Sequence, residues 1–231
     1  MSNYWRYSRS AYYSAVAALP LLVIYEILIV LSQSRYWGIR NAADVWIRTF
    51  LMAFDLKAQH VTFVLIAISI VLIPIAKSRA SGIKLKANYF ALMLAESLAF
   101  SMVLGILLQS ILRLGGLSSG GHGSGFIQNL ALSIGAGLFE EIIFRVILLN
   151  LLFWLLLPLF KKKLVATVVS VLLASFLFSL SHYVGSMADT WQLYSFIFRW
   201  GAGLLFTVLY FVRGFAITAY THALYDIWVL V

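Results

Sequence analysis

The sequence predicts an all-α, polytopic membrane protein, built as a bundle of seven or eight transmembrane helices. Hydrophobic residues make up 63% of the 231 residues and charged residues only 11%, whereas soluble domains carry about 25% charged residues. The apolar residues lie in runs of about 20, the length that crosses a hydrocarbon core of roughly 30 Å as a helix. No run alternates with the period of a barrel strand, so helices are the elements expected in lipid.

Seven apolar runs predict the spanning helices in chain order. The first follows Arg6 and Arg9 and is longer than a signal-peptide core of about 7 to 15 residues, so we expect it to be retained as a span. The seven runs are residues 11–32, 58–76, 89–112, 126–160, 164–184, 193–212 and 215–231.

Two connecting segments differ in composition from these runs. Residues 44–56 mix Trp46 and Phe50 with Asp44 and Arg48, a composition that suits a helix lying at the membrane interface or a re-entrant piece. Residues 112–125 are rich in Gly and Ser and predict a flexible loop. No internal repeat is visible, so the sequence gives no support to an inverted-repeat transporter.

The run at residues 126–160 complicates the count, because 35 helical residues would be roughly 52 Å long. It is either one long helix, tilted or broken, or two short spans. The cluster at residues 77–86 and the three lysines at 161–163 fall on the N-terminal side only if this run crosses once. That gives seven spans with the N-terminus inside, or eight if residues 44–56 insert. We expect one membrane domain, residues 1–231, in the cell membrane.

Charge and cysteine content exclude several classes of protein. The net charge of +9 comes from basic residues that separate the apolar runs, so it reports topology and does not predict nucleic-acid binding. There is no cysteine, which excludes disulfides, thiolate zinc sites and a thiol nucleophile.

Ionisable residues within the apolar runs are the candidates for function. Each such charge is costly in lipid and needs a partner, a water-filled cavity or a function. The candidates are Glu26, Glu96, Glu140, Glu141, Arg145, His182, Arg199, His222 and Asp226. Together they predict a polar interior in the helix bundle.

Spacing relates several of these residues to one another. Glu141 and Arg145 are four apart with the acid first, so they can form an ion pair on one helix face. Glu140 lies about 100° further around that helix and can face a different neighbour, where its carboxylate could serve as a general base. His222 and Asp226 are also four apart. A glutamate with histidines from two other helices could bind one water and stabilise an oxyanion.

Three ordered motifs resemble a known family. EEIIFR from Glu140 to Arg145, FSLSH ending at His182, and HALYD from His222 to Asp226 are similar to the EExxxR, FxxxH and HxxxN/D signatures of the CAAX protease and bacteriocin-processing (CPBP or Abi) family. That family consists of intramembrane glutamic endopeptidases. The resemblance covers about residues 126–231, the expected catalytic core.

The resemblance implies a role for each motif residue. Glu140 and His182 would activate the water, while His222 and Asp226 would form the oxyanion site. Glu141 and Arg145 would support the site structurally. Asp226 is the acidic variant of a position that is often Asn, and it can donate to an oxyanion only when protonated. No metal and no cofactor is expected, since no His-Glu-x-x-His occurs.

The remaining polar residues are placed outside the site. Glu26, Glu96 and Arg199 are expected to be paired across helices, and His60 and His122 to be solvated in or beside loops. The expected partners are the lipid bilayer and a peptide or protein substrate, lipidated or otherwise anchored in the membrane, with no nucleic acid. Two alternatives stay open: a non-catalytic protein resembling bacteriocin-immunity proteins, and a proton-coupled transporter.

Overall fold

The computed structural model describes residues 3–32, 39–114, 125–185 and 188–231, and these residues form helices without a strand. The predicted loop at residues 112–125, including His122, lies largely outside the described residues. The helices of the described part are α1 (Asn3–Ser8), α2 (Ala11–Ser32), α3 (Ala42–Met52), α4 (Ala58–Arg79), α5 (Ala87–Leu114), α6 (Phe126–Phe160), α7 (Lys163–Ser181), α8 (Leu193–Arg213) and α9 (Phe215–Leu230).

The all-α, multi-pass architecture is confirmed, with a difference in the number of spans. Six of the described helices, α2 and α4 to α8, are long and apolar enough to cross a membrane, against the seven or eight predicted. The seventh predicted span is α9, whose 16 residues give a length of about 24 Å, shorter than a hydrocarbon core of roughly 30 Å. α9 packs against α2, α5, α6 and α8 and is the central helix of the bundle.

α6 is one long helix, as one of the two interpretations of residues 126–160 expected. Its middle part is wound more widely, with π-helical turns over Ala136–Glu140 and Ile142–Leu148. Such turns are rare and often occur at functional sites. Here they contain Glu140 and Arg145, and Glu141 lies between the two π-helical stretches.

Residues 44–56, predicted to lie at the interface or to re-enter the membrane, contribute most of α3. Asn41 caps this helix, because its side chain accepts a hydrogen bond from the backbone N–H of Ala43. Asp44 is fully buried. α3 packs against α4 and against the π-helical part of α6, so its N-terminus reaches the interior of the bundle.

The two ends of the bundle differ in charge and in shape. At one end the N-terminal residues contact the α4–α5 connection, where Tyr13 donates to the carbonyl of Lys84 over 2.9 Å. They also contact the end of α8, where Arg213 donates to Ser8. At the other end α6 begins beside the end of α9, and Asn129 donates to the carbonyl of Leu230 over 2.8 Å. A cavity opens at this second end.

Candidate active site

A cavity of about 1110 Å³ lies among the start of α6, the ends of α2, α7 and α9, and the first half of α8. Its walls are mainly apolar, with side chains such as Leu132, Phe178 and Phe206. Four of its polar lining residues are those that the sequence motifs single out: Glu140, His182, His222 and Asp226. The fold therefore brings these four side chains, from α6, from α9 and from the residue that follows α7, to one cavity.

Glu140 is held between two helices of different halves of the chain. Its Oε1 accepts a hydrogen bond of 2.8 Å from the Asn41 side-chain amide at the start of α3. Its Oε2 lies 4.0 Å from Nε2 of His222. The carboxylate thus presents one oxygen to the amide and the other towards His222.

His222 is surrounded by carboxylates. Its Nδ1 lies 2.7 Å from Oε1 of Glu141, and because a carboxylate only accepts, Nδ1 carries the proton in this bond. Its Nε2 faces Asp226 at 3.7 Å and Glu140 at 4.0 Å. The ring is stacked on Phe206 with 4.4 Å between centroids. These contacts fix the ring and direct Nε2 towards the cavity.

Glu141 and Arg145 are both buried and adjacent, with 3.0 Å between Oε1 and Nη1. Arg145 also donates to the carbonyl of Gly203 in α8 and lies over the Phe178 ring. The contact between Glu141 and His222 is additional to the ion pair that the sequence predicts. Glu141 therefore joins α6 to α9, whereas Arg145 joins α6 to α8.

His182 lies directly after the last residue of α7. Its Nδ1 is 3.0 Å from the carbonyl of Phe178, one turn earlier, and its ring meets the Phe178 ring edge-on. This contact orients the imidazole at the helix end, so that Nε2 is the nitrogen available to a substrate in the cavity.

Two further polar groups belong to this region. Arg199, predicted to be paired and to lie outside the site, is paired with Asp189, and both residues line the cavity. Asn41, which donates to Glu140, belongs to none of the sequence motifs and was not predicted as part of the site. Its position before α3 carries a helix-capping signal, but nothing in the sequence connects it to a residue 99 positions later.

The expected pairing of the other charges is confirmed. Glu26 pairs with Arg40 and Arg48, and Glu96 pairs with Arg213. Among the described residues, no three His, Asp or Glu side chains are arranged as a group that could hold a metal ion.

Comparison with known protein families identifies a match to the second half of the chain. Residues 122–228 match the family model described as Rce1-like, type II CAAX prenyl endopeptidase. This match confirms the resemblance carried by the three sequence motifs, all of which lie within the matched residues. No curated protein and no solved structure matches the chain significantly.

Proposed function

We propose that this membrane protein is a glutamic intramembrane endopeptidase, because residues 122–228 match the Rce1-like family model of type II CAAX prenyl endopeptidases. It hydrolyses a peptide bond in a peptide or protein tail that the membrane delivers. The observation that carries the proposal is the convergence of Glu140, His182, His222 and Asp226 on one cavity with apolar walls.

Glu140 is the general base of the proposed reaction. Its carboxylate takes a proton from a water molecule in the cavity, and the resulting hydroxide attacks the scissile carbonyl carbon. The tetrahedral intermediate collapses as the C–N bond breaks, and the proton passes to the leaving amine. His182 helps to orient the water, since it lines the same cavity from the end of α7.

His222 stabilises the oxyanion in this mechanism. Glu141 holds Nδ1–H, so when the imidazole carries both protons, Nε2–H is the donor that remains for the developing negative charge. Asp226, near Nε2 of His222, contributes a second donor when it is protonated. These hydrogen-bond donors are positioned before the reaction, which is the usual source of oxyanion stabilisation.

The walls of the cavity support one class of substrate. Apolar side chains surround the polar centre, so the cavity suits an apolar peptide segment or a lipid-modified tail better than a soluble, charged peptide. We place the protein in the cell membrane, as one integral domain with its catalytic core at residues 126–231.

A proton relay needs acidic residues distributed across the membrane. Glu26, Asp44 and Glu96, which lie outside the cavity lining, are held in ion pairs with arginines. This arrangement supports a hydrolase over a transporter.

The test is cleavage of a peptide library, containing free and prenylated tails, by detergent-purified protein. Glu140→Gln should reduce turnover by at least about 100-fold, the contribution typical of a general base. Wild-type activity should survive chelators, since the proposed chemistry uses side chains and water. An active Glu140→Gln variant would refute the mechanism, and a wild type that binds peptides without cleaving them would support the immunity-like alternative.

A further inference from the structure

We infer that Asn41 is a positioning residue for Glu140, supplied by the half of the chain that precedes the matched family domain. The inference rests on the proposed role of Glu140 as the base. The Asn41 amide donates to Oε1 of Glu140 over 2.8 Å. Both ends of this hydrogen bond are removed from bulk water, since Asn41 is buried and Glu140 is largely so.

The orientation of the Asn41 side chain is fixed by its second contact. Its Oδ1 accepts from the backbone N–H of Ala43 over 2.9 Å and caps α3. With the oxygen so occupied, the NH₂ group must face Glu140, because a flipped amide would point a donor at a donor and an acceptor at a carboxylate. Asn41 therefore presents an N–H to the carboxylate in one orientation only.

A group of four charged residues holds the backbone around Asn41. We call it the arginine–carboxylate cluster, made of Glu26, Arg40, Asp44 and Arg48. Arg40 and Arg48 each contact both carboxylates. The cluster carries two positive and two negative charges, so it is neutral as a whole.

The cluster restrains residues 40–44 on both sides of Asn41. Burial by itself lowers the pKa of Arg40, but its hydrogen bonds to Glu26 and Asp44 raise that pKa above its ordinary value, so Arg40 stays charged. Tyr25 donates to Asp44 over 2.8 Å and accepts from the backbone N–H of Asn41 over 3.3 Å. The residue before the cap and the first turn after it are thereby tied to α2.

The same tyrosine packs against the helix that carries the base. The Tyr25 ring meets the Phe139 ring edge-on at 5.1 Å between centroids, and it approaches Gly135 so closely that a Cβ there would lie 2.6 Å from Cε2. The Tyr25 side chain therefore contacts both α6 and the start of α3, and it fixes the position of one relative to the other. The distance between Asn41 and Glu140 is set by this packing.

The hydrogen bond from Asn41 determines which oxygen of Glu140 is available to act as the base. Asn41 occupies Oε1, while Oε2 is the oxygen on the side of His222. A base held in this way loses less entropy on reaching the productive geometry, and a displacement of about 1 Å can cost about 100-fold in rate. Asn41 positions the base without touching the substrate.

The test compares two variants that both keep the cap of α3. Ser and Asp cap helices about as well as Asn. Asn41→Ser is too short to reach Glu140, so it should lower kcat by about 10- to 100-fold and leave KM and thermal stability nearly unchanged. If Asn41 served only as a cap, Asn41→Ser would keep full turnover, and that result would overturn the inference.

Asn41→Asp replaces the donor by a second carboxylate at the same place. Two carboxylates in contact do not both ionise readily, so Glu140 should remain protonated to higher pH. The acidic limb of the pH profile of kcat should then move to higher pH. An unshifted limb would contradict the contact between the two side chains.

A measurement that needs no turnover separates this inference from the proposed function. Infrared difference spectroscopy of the purified protein should show a protonated-carboxyl band that disappears in Glu140→Gln. Its titration midpoint should rise in Asn41→Asp relative to the wild type, whether or not a substrate is cleaved. If the titration midpoint of this band is unchanged in Asn41→Asp, the role of Asn41 is refuted and the proposed function is not. An active Glu140→Gln variant would refute the proposed function.

Discussion

At the scale of single residues, the centre of the site is one imidazole between three carboxylates. His222 contacts Glu141 through Nδ1 and faces Glu140 and Asp226 through Nε2. The three acids differ in their further partners: Glu141 pairs with Arg145 and Glu140 accepts from Asn41. Asp226 lies 3.7 Å from Nε2 of His222. These differences predict different outcomes for similar substitutions.

Glu141→Gln should destabilise the protein, whereas Glu140→Gln should leave it stable but inactive. The first substitution leaves the guanidinium of Arg145 buried without its counter-charge, a loss of about 3–5 kcal/mol. The Gln oxygen can still accept from Nδ1–H of His222. Thermal denaturation in detergent and turnover per folded molecule check this division, and equal stability with equal activity of the two variants would contradict it.

His222→Ala should lose most activity, whereas Asp226→Asn should keep much of it. Asn always presents an N–H donor to an oxyanion, while Asp does so only when protonated. Turnover of Asp226→Asn and Asp226→Ala on one substrate is the measurement. If Asp226→Asn is active and Asp226→Ala is not, the side chain at this position donates a hydrogen bond to the oxyanion. If both variants lose activity on the order of 100-fold, the charge of Asp226 is needed to orient His222 or to act as a base.

At the scale of helices, the close approach of α6 and α9 sets the distance between Glu140 and His222. A Cβ on Gly137 would lie 2.4 Å from the carbonyl oxygen of Ala219 and 2.6 Å from the backbone nitrogen of Ala223. Small residues at such contacts let membrane helices approach closely. Gly137 is three residues before Glu140, and Ala223 directly follows His222, so this contact and the site share one stretch of both helices.

Gly137→Ala should therefore lower both stability and turnover. Backbone atoms of α9 must move to admit the methyl group, which typically costs about 1–3 kcal/mol, and His222 moves with them. Gly105→Ala in α5 is the matched control, because nothing lies within 4 Å of its added Cβ, and it should stabilise its helix by about 0.5–1 kcal/mol. Denaturation midpoints and turnover are the measurements. Equal behaviour of the two variants would show that the α6–α9 contact does not depend on a glycine.

At the scale of the whole molecule, ten of the 17 lysines and arginines lie at the end of the bundle opposite the cavity. The connection between α6 and α7 is at the basic end, since α7 runs from it to His182 at the cavity. The positive-inside rule assigns the basic end to the cytosol and the cavity mouth to the other side. The basic residues at that end are Arg6, Arg9, Lys77, Arg79, Lys84, Lys86, Lys161, Lys162, Lys163 and Arg213.

This orientation can be measured with single cysteines, because the sequence contains none. In intact cells, a membrane-impermeant maleimide should label Ala188→Cys, which is exposed near the cavity mouth, and should label Ser81→Cys, exposed in the α4–α5 connection, only after permeabilisation. The reverse pattern would place the cavity mouth in the cytosol and direct the search to cytosolic tails as substrates.

The sequence by itself determined that the protein is helical and crosses a membrane, and it identified the residues of its motifs. Residues 11–32 and 126–160 are helices with the predicted bounds, because run length in lipid depends only on local apolarity and bilayer thickness. Glu140, His182, His222 and Asp226 could be singled out because a charge in an apolar run needs a partner or a function.

Only the tertiary structure decided which side chains meet. The contacts of Asn41 with Glu140 and of Glu141 with His222 join residues 99 and 81 positions apart. In a soluble helix a polar face marks the side turned away from the core. In a membrane helix both the lipid-facing and the packed sides are apolar, so the rotation of each helix, and with it the partner of each buried charge, is set by packing against its neighbours.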